Sequence, residues 1–302
     1  MSFSQRTKKD ISLEKINENQ YAYELSSYVK LSGYIRIFQQ KLYTVFDVDN
    51  NIQAKRIYNI IKKIYDFSPT IEIKNNNKFT KNKIYRVLVD DETTTEKILK
   101  NEEKLGENIY DFYDKMNEDD LKTFLKVSFL LNGSITDPKR GYYVEFVFES
   151  KEISDVVFKI MDNFNLQPKK FIRKKNYIIY LKDSDEISDF LSLISAYKAL
   201  LELQNVKAMK ELRNNINRQT NCDKANIDRT VNASLKQISA IEKLKKNDLF
   251  KNLPDELKNV AEIRIENPYI SIEDLGKLTN PTMSKAKINY RLQKLIKLSE
   301  EI

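Results

Sequence analysis

The sequence predicts an α+β chain in which a duplicated αββαββα domain is followed by an all-α linker and a C-terminal three-helix module. Three observations lead there. A stretch beginning at Leu25 recurs at Leu125, apolar residues between positions 203 and 241 return at helical spacing, and the C-terminal stretch carries the caps and stops of three short helices. On this reading 1–20 is an N-terminal helical segment, 21–110 and 111–200 are the two repeats, 201–250 is a helical linker and 251–302 the terminal module. A chain of 302 residues is long enough for two or three folding units.

The repeat pairs Leu25-Ser-Ser-Tyr-Val-Lys-Leu-Ser-Gly33-Tyr-Ile35 with Leu125-Lys-Val-Ser-Phe-Leu-Leu-Asn-Gly133-Ser-Ile135, an offset of 100. The offset persists where Tyr43-Thr-Val-Phe-Asp-Val answers Tyr143-Val-Glu-Phe-Val-Phe. Each first stretch suits a helix ending at a glycine, Gly33 or Gly133, expected to turn there with a positive φ. Val144, Phe146 and Phe148 alternate with Tyr143, Glu145 and Val147 as a half-buried strand does, and Val45 and Asp47 are expected to begin the same pattern in the first copy. Ile57, Ile60, Ile61 and Ile64 form a helical stripe across 52–65, echoed by Ile153, Val156, Val157 and Ile160, and both stripes are assigned to the core. A second hairpin closes each unit, 70–73 with 84–89 and 169–173 with 177–181, over polar, basic turns at 74–83 and 173–176. Final helices at 94–105 and 187–197 complete two related halves packed together.

From Leu203 the residues Val206, Met209, Leu212 and Ile216 recur at helical spacing, and Ile227, Val231, Leu235, Ile238 and Ile241 do so again. Two amphipathic helices are expected, separated by a polar break at 213–226 that is dense in Asn and Arg. Arg213, Asn217 and Arg218 are its candidate contacts to phosphates or bases, while a solvated, self-capped turn fits the spacing as well. Further on, Pro254 suits the first turn of a helix whose buried face is Leu257, Val260 and Ala261 and which Asn267-Pro268 stops. Ser271 precedes a short helix, 272–278, with Glu273 and Asp274 at its positive end.

Ser284 is the expected N-cap of the last helix. That helix turns Ile288, Leu292 and Leu295 inward and Lys287, Asn289, Tyr290, Gln293, Lys294 and Lys297 outward, with Lys285 and Arg291 flanking the seam and no acidic residue from 284 to 298. Cations for phosphates and amides and Arg for base edges are what a recognition helix needs, and Asn289 and Arg291 are the expected base readers. A basic solvated face is the competing account. The 279–283 turn is longer than usual for a helix-turn-helix, which leaves a winged-helix or looser three-helix arrangement open.

Lys and Arg outnumber Asp and Glu by 52 to 44, a formal charge of +8, which favours nucleic acid or an anionic surface as partner. AT-rich codon usage explains a lysine excess equally well, so only clustering decides. No apolar run approaches the roughly 18 residues of a membrane span, and the polar first twelve positions lack a signal-peptide core. A cytoplasmic, nucleoid-associated protein with no membrane partner is therefore expected. The chain has no His, which removes Ser–His and Cys–His nucleophile pairs and the usual zinc sites, so any metal site would be oxygen-ligated and suited to Mg²⁺ or Ca²⁺. No metal and no cofactor are expected. The lone Cys222 makes no internal disulfide and is assigned a structural role.

The repeated stretches 25–33 and 125–133 resemble the motif of the LAGLIDADG homing endonucleases. In that family two such helices pack side by side, each placing an acidic residue just before its final glycine to hold divalent ions at the scissile phosphate. The matching positions here are Ser32 and Asn132, neither charged, so the resemblance implies the fold without the hydrolysis. Over nearly its whole length the chain resembles the WhiA family of bacterial sporulation and cell-division regulators. The resemblance rests on the opening Met1-Ser-Phe-Ser-Gln-Arg-Thr-Lys-Lys9, on 213–226, and on Ser284-Lys-Ala-Lys-Ile-Asn-Tyr-Arg-Leu-Gln-Lys-Leu295. It implies a degenerate LAGLIDADG-like domain tethered to a helix-turn-helix, double-stranded DNA as partner, another regulatory protein as a possible second one, and no catalysis. Tyr290 stands where the family pattern has His, and Gln293 where it has Arg; both departures bear on base preference and not on the class of partner.

Two other readings compete with a DNA-binding regulator. One is a metal-dependent nuclease whose centre has been rebuilt from Asp47, Asp49, Asp137 or Glu145. The other is an RNA-binding or scaffolding role for the repeat domain.

Overall fold

The computed structural model describes residues 1–15, 20–75, 83–101, 108–247 and 249–301. It divides into two compact units, Met1–Met209 and Lys210–Ile302. The first begins with α1 (Phe3–Leu13), opened by a capping box in which Ser2 and Gln5 satisfy each other's backbone N–H. The first repeat follows as α2 (Tyr21–Ser32), β1 (Gly33–Phe38), β2 (Lys41–Val48), α3 (Asn51–Tyr65), β3 (Thr70–Asn75), β4 (Lys83–Val89) and α4 (Glu92–Asn101). A short α5 (Ile109–Asp114) leads to the second repeat: α6 (Glu118–Asn132), β5 (Gly133–Ile135), β6 (Val144–Phe148), α7 (Lys151–Asn163), β7 (Lys169–Arg173), β8 (Asn176–Leu181) and α8 (Ser184–Leu193). The turn expected at 74–83 and the end of the helix expected at 94–105 lie largely outside the described residues.

The offset of 100 holds at the level of register. Gly33 pairs with Phe46 and Gly133 with Phe146, and the two antiparallel sheets have equivalent orders, β1-β2-β4-β3 and β5-β6-β8-β7. Two expectations need correction. Gly33 and Gly133 take φ of −75° and −89°, so positive φ is not why they are glycine. The reason is crowding: a Cβ on Gly33 would lie 2.7 Å from the Val29 carbonyl oxygen, and one on Gly133 would lie 2.3 Å from Phe129 Cδ2. The alternation in β2 is also shifted by one. Phe46 and Val48 face the core, whereas Asp47 shares the opposite face with Arg86. The apolar run Val45-Phe46 disguises that phase, because Val45 is itself buried.

Each sheet is backed by its own helices. Leu25, Tyr28, Val29, Phe46, Ile57, Ile60, Ile61 and Val87 fill the first core, and Phe129, Phe146, Val156, Val157, Ile160, Ile179 and Phe190 belong to the second. Helices α2 and α6 pack side by side and share the load: Val127 of α6 sits in the first core, and Tyr23 and Leu31 of α2 pack on the second. Full burial of each such aliphatic or aromatic side chain contributes about 1.5–3 kcal/mol. Arg56 of α3, almost wholly buried, donates to both carboxylate oxygens of the buried Glu24 and to the carbonyls of Ile11, Ser12 and Glu14, tying α1 to the first repeat.

The linker departs most from expectation. Instead of two helices with a break, α9 (Tyr197–Lys246) is one helix of 50 residues running through the boundary between the units. Neither Gly nor Pro occurs within it, and the Asn-rich segment costs only a few tenths of a kcal/mol per residue against better helix formers. Cys222, expected to be structural, is exposed on it.

Candidate nucleic-acid interface

The second unit is built on the last turns of α9. A 3-10 turn (Leu249–Asn252) precedes α10 (Asp255–Glu266), α11 (Ile272–Lys277) and α12 (Lys285–Glu300). Pro254 takes the cap position of α10, one residue before the expected first turn. Ser271 caps α11, its Oγ accepting from Asp274 N at 3.1 Å, and Ser284 caps α12 through Lys287 N at 3.5 Å. The core joins Ile241 and Leu244 of α9 to Leu257, Val260, Ala261, Leu275, Ile288, Leu292 and Leu295. The end of the stretch expected to be linker is therefore part of this unit's core.

Two residues fix the turns on either side of α11. Gly276 lies where the chain doubles back: its carbonyl accepts from Met283 N at 3.0 Å and Thr279 Oγ1 at 2.8 Å, and a Cβ there would stand 2.2 Å from the Met283 carbonyl oxygen. Arg264 is buried and donates from Nε to Gln237 Oε1 (2.8 Å) and from Nη1 to the carbonyls of Asn267 (3.2 Å) and Ile270 (3.0 Å). It fastens the turn before α11 to α9.

The outward face of α12 presents Lys285, Lys287, Asn289, Tyr290, Gln293, Lys294 and Lys297, all exposed, with the cap Ser284 exposed beside them. No acid stands in the first turn, where Lys285 and Lys287 oppose the positive end of the helix dipole at a cost of about 0.3–1 kcal/mol each. A bound phosphate would reverse that sign. Arg291 is different. Its side chain is only 16% exposed, and it is bonded to Glu256 and placed against Met283 Sδ, so the expected base reader is occupied within the protein.

On α9, Arg213, Asn217 and Arg218 are all exposed. Being on one helix, they lie at 0, 4 and 5 residues along it, so Arg213 and Asn217 are neighbours on one face and Arg218 is turned about 100° from Asn217. Nearby, Arg229 donates to Asn226 (3.3 Å), whose amide reaches Cys222 Sγ at 3.8 Å.

The paired helices α2 and α6 end at Ser32 and Asn132. Ser32 Oγ donates back to the Tyr28 carbonyl at 3.1 Å. A hydroxyl and an amide do not form the anionic oxygen set that a hard dication requires, so the positions do not fit a metal. The four acids of the rebuilt-centre reading have other partners. Asp47 is held by Arg86 at 2.7 and 2.8 Å and receives the Tyr34 hydroxyl at 3.0 Å, which keeps its carboxyl below the ordinary range, the Arg86 bond contributing most. Asp49 accepts from Asn50 Nδ2, Asp137 from Lys139 N, and Glu145 from the Tyr143 hydroxyl. Among the described residues no three His, Cys, Asp or Glu are grouped to hold a metal, and no helix is long and apolar enough to cross a membrane.

Family models described as the WhiA N-terminal LAGLIDADG-like domain, the WhiA LAGLIDADG-like domain and the WhiA C-terminal HTH domain match residues 18–103, 121–213 and 216–299. The chain is 34% identical over 311 residues to the probable cell division protein WhiA of Clostridium botulinum (strain Hall), covering 100% of this chain and 99% of that one. The chain belongs to the WhiA family. The protein of the same name from Clostridium tetani is 33% identical over 312 residues, with 100% and 98% covered. Among solved structures, full-length WhiA from Thermotoga maritima has a TM-score of 0.61 at 24% identity, covering 100% of this chain and 99% of that one, and shows the shared fold. WhiA architecture here is thus two LAGLIDADG-like domains, a long helix and a C-terminal helix-turn-helix.

The residues that sequence reasoning missed in this WhiA chain are the positioning ones, Gly276, Arg264 and Glu256. Gly276 had a visible signal, a glycine inside a six-residue helix. Arg264 had none, since an arginine near a helix end reads as a solvated cation until its buried partners are seen.

Proposed function

We propose that this WhiA chain is a sequence-specific, double-stranded-DNA-binding transcriptional regulator serving cell division, chromosome segregation or sporulation, with no nuclease activity, and that α12 enters the major groove. The observation that carries the reading is the outer face of α12, free of acids from Lys285 to Leu298, with two lysines set against the helix dipole at its start. Lys285, Lys287 and Lys294 take phosphates, with Ser284 at the capped helix start. Asn289 and Gln293 read base edges beside Tyr290; Arg291 joins them only when Glu256 releases it. Arg213, Asn217 and Arg218 add contacts from α9. The relatives' name supplies the link to cell division, and the protein works at the nucleoid in the cytoplasm, where a second regulatory protein is a further partner.

Selection of bound fragments from random duplexes, followed by titration at several salt concentrations, tests this. Asn289→Ala should relax the preference at one position by about 1–3 kcal/mol. Equal losses on selected and random duplexes would overturn base reading by Asn289. Supercoiled plasmid incubated with Mg²⁺ or Mn²⁺ should remain uncut, and nicking that Asp137→Ala abolishes would reinstate the nuclease.

A further inference from the structure

We propose that the open face of the second sheet is a stacking platform for a single-stranded polynucleotide. Phe146 and Ile179 turn one side of this sheet into the helix-backed core. Register places Glu145 opposite Tyr180, Val147 opposite Ile178, Lys169 opposite Tyr180 and Phe171 opposite Ile178, all on the other side. Three aromatic rings gather there from β7, β8 and the residue preceding β6. The Tyr143 and Tyr180 centroids are 5.7 Å apart at 31°, and Phe171 meets Tyr180 edge-on at 5.6 Å. Phe171 is 40% exposed although it lies in a regular strand. Lys182 Nζ stands 5.0 Å from the Tyr180 centroid and 5.9 Å from that of Tyr143. Lys169 and Arg173 lie along the same face of β7, both exposed.

Rings on adjacent strands of a four-stranded antiparallel sheet, edged by cations, match what unpaired bases need: flat apolar surfaces to stack on and positive charge for the phosphates between them. A duplex does not offer those faces, because its bases already stack on one another, and the Arg and Asn that its base edges call for stand here at the rim, as the pair Arg173 and Asn176. Glu145 is the acid on these strands; it accepts the Tyr143 hydroxyl at 3.5 Å and is outnumbered by Lys169, Arg173 and Lys182.

The first sheet, which descends from the same repeat, is built differently at the equivalent place, although Tyr34, Phe38 and Tyr43 share its open face. There Tyr34 donates to Asp47 while the Arg86 guanidinium lies 5.8 Å over its ring, and Glu72 sits opposite Arg86 in register. Both the edge and a face of that ring are taken within the protein. Val147 stands where the offset puts Asp47, so the second sheet carries no such carboxylate–guanidinium ladder, and Phe171 is exposed beside Tyr180.

The chain contains no Trp, so Phe171→Trp places a single reporter on the platform. Full-length protein carrying it is titrated with an oligothymidylate or oligouridylate of about a dozen nucleotides, and with a duplex of equal length. Saturable quenching by the single strands and none by the duplex is expected. Tyr180→Ala should weaken single-strand binding about tenfold and Tyr180→Phe hardly at all, with duplex affinity unchanged in both. Lys294→Ala should weaken duplex binding and leave the single strand alone. The proposal is overturned if the single strands do not quench, if the duplex quenches equally, or if Tyr180→Ala leaves single-strand affinity intact or lowers both affinities together.

Discussion

The tightest point of the helix-turn-helix is Gly276, and Gly276→Ala measures how far the recognition helix depends on it. The added Cβ would stand 2.2 Å from the Met283 carbonyl oxygen, 3.3 Å from its carbon and 3.4 Å from Ile288 Cγ1. Backbone atoms cannot rotate aside, so the turn must open by about an ångström to restore van der Waals contact, straining the Met283 N–H bond to the Gly276 carbonyl. Overpacking of this kind costs about 1–3 kcal/mol, and the weakened hydrogen bond about 1 more. For a unit of this size, 2–4 kcal/mol lowers the melting temperature by roughly 10–30 °C. Calorimetry of the full chain should show the second unit's transition fall by that amount while the first unit's holds, and duplex affinity should fall because α12 starts from the displaced turn. Gly141→Ala is the control: nothing lies within 4 Å of its would-be Cβ, and the melt should not fall. A Gly276→Ala protein that melts like the parent would refute the crowding argument.

Three other outcomes follow from the same geometry. Arg56→Met strands the buried Glu24 carboxylate and should destabilise the first unit by about 3–5 kcal/mol in urea denaturation, with Glu24→Leu added to it restoring part of the loss; a cost below about 1 kcal/mol would contradict a structural role for the pair. Asp47 is held below its ordinary value of 3.8, so its contribution is complete above that pH and fades as the pH falls further. Asp47→Asn should accordingly flatten the fall in first-unit melting temperature between about pH 4 and about pH 2, and an unchanged slope would separate the Arg86 pairing from stability. Lys294→Ala should weaken binding to all duplexes and reduce the log–log salt slope by roughly one, whereas an unchanged slope would remove Lys294 from the phosphate contacts.

What could be read in the sequence was whatever repeats or alternates. The offset between Leu25 and Leu125 foretold two sheets with the same order, and the caps Ser271 and Ser284 fixed where α11 and α12 begin. The outward residues of α12 followed from its period, because Ile288, Leu292 and Leu295 leave only one side for the core. Reading failed where local chemistry pointed one way and tertiary structure the other. The Asn-rich segment 213–226 looks like a turn, yet with no helix breaker the strong formers on either side carry the helix through it. Arg291 looked like a base reader because its partner, Glu256, is 35 positions away and no local pattern connects them.

The two repeats also explain how a LAGLIDADG-like scaffold persists without acids at its helix ends. Packing of α2 and α6 makes two demands at that place. A residue without Cβ is needed where each helix passes into its strand, and Gly33 and Gly133 meet that need. Apolar residues are needed one turn earlier, and Tyr28, Val29, Phe129 and Leu130 supply them. Neither demand reaches positions 32 and 132, whose side chains are only half-buried, so a hydroxyl or an amide costs the fold little there. Charge that the fold does require sits elsewhere, in Glu24 against Arg56 beneath α1. Stability and metal binding therefore rest on separate residues, and the open faces of the two sheets were free to diverge, one into the Asp47–Arg86 ladder and the other into the Tyr143, Phe171 and Tyr180 surface.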